Sequence, residues 1–404
     1  MLSEVIILIL AYSVTNFKSF EDVTVLSFEA TPDKAHEETL LHCDEECWVL
    51  PSIAVYGPNA AGKSNLLDSM QLMKSMICGD FSMPAPNEPL QFNPFAYRND
   101  APHTDTKFEL AFMLEGIKYE YSFSYNKDEI TKEHLLFWRS SRPTTVFERD
   151  SSTETPISFP KGMKLGNLKK IASMTNANRL FLRNAVELGD ESMLPVYEFF
   201  KEKIHYYSEE SKDDLTTNIL RDSRNAVMRQ KIVEYLSKAD VGIANISASA
   251  NKEDPDNPII LFTHTVERDG RKYNFAMNME GESRGTQKLY NILGHIVDAL
   301  EYGKFLFVDE LGFSYHPLIA QYVIEIFNDP ELNLHNAQLL FTTHNTTLLN
   351  LEKMRRDQIW FVEKNDRTQT SELYPLSDYS PRKNENIERG YLLGRYGAIP
   401  FFGR

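Results

Sequence analysis

The chain has 404 residues, enough for two or three domains of ordinary size with a substantial core. Its 42% hydrophobic and 25% charged residues are those of a globular protein, and a formal net charge of −15 excludes a broadly basic surface while leaving room for a local basic groove. Three cysteines, Cys43, Cys47 and Cys78, are too few for a disulfide framework and point to a reducing, cytoplasmic setting.

Residues 5–11 are apolar but far shorter than the ~20 residues that span a bilayer. Glu4 stands where a signal peptide would carry positive charge, and no small-residue cleavage site follows, so a buried first strand is expected. Residues 12–20 and 23–28 alternate apolar and polar side chains as sheet strands do. His42, Cys43 and Cys47 form one Cys-x-x-x-Cys with no second pair, which reads as ordinary thiols rather than a metal site.

Next comes Gly57-Pro58-Asn59-Ala60-Ala61-Gly62-Lys63-Ser64, matching G-x-x-x-x-G-K-[ST] at every constrained position. The spacing answers a chemical need. Glycines allow a tight turn whose backbone N–H groups face phosphates, the lysine reaches the β/γ-phosphates, and the serine hydroxyl is offered to Mg²⁺. Ile53-Ala54-Val55-Tyr56 reads as a buried strand before the loop, and Asn65 onward opens an apolar-periodic helix whose N-terminus faces the anion. The motif predicts binding of a nucleoside triphosphate.

Residues 84–94 are rich in Pro and Asn and read as loop, with Gln91 inside it. Phe108, Leu110, Phe112 and Leu114, then Tyr119, Tyr121 and Phe123, alternate around Glu115-Gly116 and predict an antiparallel hairpin. Residues 140–162 are Ser-, Thr- and Pro-rich and are expected to be irregular. Residues 163–242 carry helical periodicity and many charges and are expected to form an inserted helical arm. Strand character returns at 258–279 around Asp269-Gly270.

Glu282-Ser283-Arg284-Gly285-Thr286-Gln287-Lys288 precedes a helix carrying Leu289, Ile292, Leu293, Ile296, Val297 and Leu300. Ser283 and the Gly285 amide lie at a positive helix terminus suited to a phosphate; a plain N-cap followed by an exposed Gln287 is the structural alternative. Phe305-Leu306-Phe307-Val308 then reads as a buried strand delivering Asp309 and Glu310 at its end. Asp309 is suited to holding Mg²⁺, and Glu310 to orienting and deprotonating a water, a role contributing about 10²–10⁴-fold in rate. A third buried strand, Leu339-Leu340-Phe341, ends in Thr342-Thr343-His344-Asn345, where His344 can contact the γ-phosphate or the attacking water.

The set Gly57–Ser64, Ser283–Gln287, Asp309-Glu310 and His344 resembles the head domain of ABC, SMC and OLD-family ATPases. The resemblance implies an ABC-type α/β P-loop head, with a mixed core sheet, an antiparallel β subdomain and a helical insertion. It implies catalytic roles for Lys63, Glu310 and His344, and nucleotide contacts from residues 57–65, Ser283, Gly285 and Gln287. It implies Mg²⁺ held by Ser64, Asp309 and the candidate Q-loop residue Gln91, which reads equally as loop filler. It also implies a composite site closed by a second copy, with Lys63 and Ser283 from different chains. Ser314 and His316, after Glu310, are candidates for contacts across that interface, and Gly312 stands where relatives often carry Asp.

Residues 13–20 and 389–400 resemble stand-alone ATPases of bacterial phage-defence operons, of the RloA and AbiL type, with the PARIS ATPase a cousin in architecture. That implies a separately encoded effector, often a TOPRIM-like nuclease, and a homo-dimer or higher oligomer. The expected organisation is an N-terminal lobe at 1–162, a helical insertion at 163–245 and a C-terminal lobe at 246–404. A built-in nuclease would need well over 100 residues after His344, and only Glu363 and Asp366 lie near a strand end there. An SMC-like DNA-tethering or repair ATPase is the alternative, although 163–242 allows only a short helical hairpin. Arg382, Lys383, Arg389 and Arg395 make the tail basic; they read as a dock for an acidic partner or nucleic acid, or as a solvated or internally paired tail.

Overall fold

In the computed structural model the described residues are 7–43, 47–79, 85–98, 104–210, 214–239, 242–249, 251, 254, 258–312, 316–382 and 385–400. Strands run β1 (Ile7–Thr15), β2 (Thr24–Ser27), β3 (Leu41–His42), β4 (Trp48–Val49) and β5 (Ser52–Tyr56), and then helix α1 (Lys63–Cys78). β6 (Thr106–Leu114), β7 (Ile117–Tyr125), β8 (Ile130–Trp138), β9 (Thr144–Asp150) and β10 (Ile157–Ser158) follow. A mostly helical stretch holds α2 (Leu168–Met174), α3 (Phe181–Glu187), α4 (Leu194–Glu198), β11 (Ile204–Tyr207), α5 (Leu215–Arg221) and α6 (Ala226–Ala239). The chain continues with β12 (Ile243–Ser249), β13 (Ile259–Arg268), β14 (Arg271–Asn278), α7 (Arg284–Tyr302), β15 (Phe305–Val308) and α8 (Pro317–Asn328). It closes with β16 (Gln338–Thr342), β17 (Ile359–Lys364), β18 (Ser371–Pro375) and α9 (Ile387–Leu392).

The core sheet has the order β11-β15-β16-β5-β17-β18, parallel except for the β17–β18 pair. Its central strands β5, β15 and β16 are mostly apolar and buried at every position because both faces are covered. Ile53, Val55, Phe305, Phe307, Leu340 and Val362 face one core, shared with α1 and the antiparallel sheet. Ala54, Tyr56, Leu306, Val308, Leu339 and Phe361 face a second core, shared with α7 and α8. The antiparallel sheet has the order β10-β9-β8-β7-β6-β1-β2, so the first strand lies inside it and is buried, as its apolar run predicts.

Two expected turns appear as read. Glu115 and Gly116 both take positive φ between β6 and β7, and Asp269 and Gly270 do so between β13 and β14. Three expectations are corrected. Residues 140–162 are not irregular throughout: β9 and β10 extend the antiparallel sheet, because Val146 and Phe147 supply apolar anchors among polar neighbours. Within 163–242, Ile204–Tyr207 is a strand, pairing in parallel with β15. Four residues are too few for periodicity to reveal a strand beside charged helices. Cys43 and Cys47, expected as thiols, form a disulfide with Cα atoms 5.4 Å apart. The β3–β4 ladder pairs His42 with Trp48, which brings the next residues on each side together. No helix among the described residues is long and apolar enough to cross a membrane.

Candidate functional site

The phosphate-loop motif joins β5 to α1, and its two glycines are required for different reasons. A Cβ on Gly57 would lie 2.3 Å from the Val362 carbonyl oxygen, so the start of the loop packs directly on the β17 backbone. Gly62 has φ +117°, and a Cβ there would lie 2.6 Å from Ser371 Oγ and 2.8 Å from Ser19 Oγ. Ser371 Oγ donates to the Ala61 carbonyl at 2.5 Å, and Asn65 Nδ2 to Ser19 Oγ at 2.7 Å, so two distant loops brace the turn. Ala60 also sits at positive φ, and Asn59, Ala60 and Ser64 are exposed. Lys63 is 6% exposed, and its Nζ donates to the carbonyls of Gly57 at 2.8 Å and Pro58 at 3.2 Å. Burial pulls its pKa down to about 8, with the charges of Asp309 and Glu310 opposing the shift.

Asp309 and Glu310 leave the end of β15 beside β16. The Asp309 amide donates to the Tyr207 carbonyl at 3.2 Å, which ties this turn to β11. Thr342 Oγ1 donates to Asp309 Oδ1 at 2.5 Å and accepts from the Glu310 amide at 2.8 Å. Glu310 has φ +58°, a left-handed conformation uncommon for a residue with a side chain and often retained where function needs it. The Leu311 amide donates to the Thr342 carbonyl, and Thr343 Oγ1 to the Leu311 carbonyl at 2.9 Å. Thr342 and Thr343 therefore organise the acidic turn, a role that no spacing rule assigns. The only sequence signal is hydroxyls at a strand end, where the neighbouring strands also end.

His344 is the next residue and lies in the electrostatic field of Lys63 and Asp309. Burial lowers its pKa, the Lys63 charge adds to that, and Asp309 opposes it. A cleft of about 1040 Å³ is lined by Gly57–Ala61, His344, Glu363, Asp366, Tyr391 and Pro400, among others. Thr346 Oγ1 reaches Glu388 at 2.8 Å, so the loop after His344 is tied to α9. In the basic tail, Arg395 pairs with Glu385, and Lys383 lies outside the described residues.

Ser283 caps α7: its Oγ accepts from the Thr286 amide at 3.1 Å and contacts Thr286 Oγ1 at 2.8 Å. Gln287 Nε2 donates to the Glu282 carbonyl at 3.0 Å, and Gly285 lies in the first turn. Ser283 is exposed. Gln91 is exposed too, on a segment held by Asn93 O to the Lys18 amide and by Phe95 N to Asn16 Oδ1. His316 caps α8, Gly312 has φ +88°, and Ser314 lies outside the described residues.

The structure thus brings Lys63, Asp309, Glu310 and His344 together at the ends of three adjacent parallel strands, β5, β15 and β16. Crevices at such strand ends are where ligands bind in α/β sheets. No curated protein matches the sequence. Among solved structures the chain is similar to the SMC head domain from Thermotoga maritima, at 13% identity, 91% of this chain, 98% of that chain and a TM-score of 0.42. It is also similar to the Smc head domain with an extended coiled coil from Pyrococcus furiosus, bound to the C-terminal domain of ScpA, at 13% identity, 93% and 98% coverage and a TM-score of 0.43. At these identities the likeness says nothing of residue roles. Residues 52–350, most of the chain, match the family described as "AAA domain, putative AbiEii toxin, Type IV TA system", and the chain belongs to that family of P-loop ATPases.

Proposed function

We propose that this chain is a regulatory ATPase that binds and hydrolyses ATP with Mg²⁺ in a composite site closed by a second copy. The observation that supports it most is the convergence of Lys63, Asp309, Glu310 and His344, while Ser283 stands exposed at the start of α7. In this reading the lobes at 1–162 and 246–404 build the head, and 163–245 is an insertion between them.

The residues fit the group they would hold. Glycine at 62 lets the loop close against Ser371 and Ser19, where a Cβ would collide, and Lys63 is buried at its base. Residues 57–65 would cradle the phosphates with their amides, and Lys63 would supply positive charge at the β/γ position. Ser64 and Asp309 would hold Mg²⁺, with Gln91 as the candidate further ligand. The ion, when bound, neutralises phosphate charge. Thr342 orients Asp309 by its hydrogen bond. Glu310 accepts a proton from the attacking water, and neutral His344 orients that water or contacts the γ-phosphate. Ser283, Gly285 and Gln287 of the second copy would cover the phosphates from the positive end of α7.

The family description, with its reference to an abortive-infection toxin, supports placing this ATPase in phage defence, where closure controls a separately encoded effector, probed first as a nuclease. Replacing Ser283 by Arg tests the composite site. Expected is retained ATP binding with turnover abolished. A mixture with the Glu310→Gln chain should recover activity, because one mixed site is then intact. Unchanged turnover of Ser283→Arg at low protein concentration would overturn the reading.

A further inference from the structure

The hairpin of β13 and β14 is the most exposed regular element of the described chain: all eight residues of β14 are exposed. Its register pairs Arg268 with Arg271, Val266 with Tyr273, His264 with Phe275 and Phe262 with Met277. Because side chains alternate along a strand, these eight residues share one face. That face has a gradient. Phe262 is buried in the core at its base, Tyr273 and Phe275 are 44% and 50% exposed, and the two arginines crown the tip. Glu267 and Lys272, a register pair, lie on the opposite face with Thr265 and Asn274. Asp269 is in the turn. The arginine pair therefore shares its face with no carboxylate of the hairpin, in a chain whose net charge is −15.

We infer that this face binds single-stranded nucleic acid, with the phosphates on Arg268 and Arg271 and successive bases on Tyr273 and Phe275. Two rings at i and i+2 on a strand are about 6.7 Å apart, a rise that an extended single strand can match. Aromatic rings on an open sheet face beside guanidinium groups supply the stacking and phosphate contacts that such strands need, without a groove for a duplex. Charge complementarity selects an anionic partner, and β14, the edge strand of its three-stranded sheet among the described residues, leaves room for its backbone.

The base of this face touches the Ser283 turn. His264 Nε2 lies 2.7 Å from Glu282 Oε1, and a Cβ on Gly281 would lie 3.0 Å from the end of Met277. A strand on the hairpin thus has a route to the α7 N-terminus, so that its binding changes ATP turnover. This coupling rests on the composite-site reading; binding itself does not.

The test is fluorescence anisotropy of the full chain with a labelled 20-nucleotide oligo(dT) or oligo(U), over a salt series. Wild type should bind, with affinity falling as salt rises. Arg268→Ala with Arg271→Ala should reduce the salt slope by about 1.4, and Tyr273→Ala or Phe275→Ala should weaken binding about tenfold each. All four positions are exposed or at the hairpin tip, so melting temperature and ATP binding should be unchanged. Undetectable binding, or variants that bind like wild type, would overturn the inference. So would ring variants that lose self-association in nucleic-acid-free sedimentation, which would make the face a contact between copies. Oligonucleotide binding without any ATP turnover would leave this inference standing and remove the proposed ATPase reading.

Discussion

The Thr342 hydroxyl lies 2.5 Å from Asp309 Oδ1 and donates to it, while accepting from the Glu310 amide at 2.8 Å. One side chain on β16 thereby sets the position of both acidic residues at the end of β15. Replacing Thr342 by Val keeps its shape and removes both bonds. Turnover is expected to fall about 10–100-fold, as when a partner that orients a metal ligand is removed. Thr342→Ser should restore most of it. Steady-state ATPase assays with a folding control by circular dichroism check this; a Val variant at wild-type rate would show that the bridge is only structural.

Glu310→Gln is isosteric and can keep the left-handed backbone at φ +58°. With the base removed, hydrolysis is expected to fall about 10²–10⁴-fold while ATP binding survives. The closed assembly should accumulate in ATP, which light scattering would register as a mass increase. Normal hydrolysis by this variant would take Glu310 out of the base role.

Gly57→Ala addresses packing rather than chemistry. The new methyl would meet the Val362 carbonyl at 2.3 Å, and neither backbone can move freely because Gly57 directly follows β5 and Val362 lies within β17, both strands of the buried sheet. A destabilisation of about 1–3 kcal/mol is expected, read as a shift in the urea midpoint. Gly116→Ala, with nothing within 4 Å of the new methyl, would report only the cost of its positive φ.

Acid stability offers a separate check. His205 on β11 is held down to about 3 by burial, with repulsion from Lys304, whose Nζ is 3.3 Å away, and Lys74 adding to it. The unfolded chain protonates this imidazole at its ordinary pKa of 6.5, the folded chain only near 3. Unfolded molecules therefore bind more protons across that window, and stability falls as pH drops from 6.5 towards 3. His205→Gln should flatten that decline in urea titrations at pH 7.5, 6 and 5. An unchanged pH slope would assign the acid limb to other groups.

Motifs with strict local geometry were legible in the chain. The loop at 57–64, the Glu115-Gly116 and Asp269-Gly270 turns and the Ser283 cap each depend on φ signs, short spacings or a helix terminus, all encoded within a few residues. The apolar runs before Asp309 and His344 declared strands buried on both faces. By contrast, β11 was missed because it is four residues long and its partner β15 lies far along the chain, while β9 and β10, although paired with adjacent strands, are short or weakly patterned.

By itself the sequence determined that a triphosphate loop, two acidic residues and a histidine occur at the ends of apolar strands. The burial of those strands follows from their apolar composition. Only the tertiary structure decided that β15 and β16 are adjacent, so that Thr342 reaches Asp309, and that β17 abuts Gly57. Only it placed the aromatic and arginine side chains of β13 and β14 on one face. Those relationships join residues separated by up to some three hundred positions, and pairing across a sheet leaves no periodic trace in either partner.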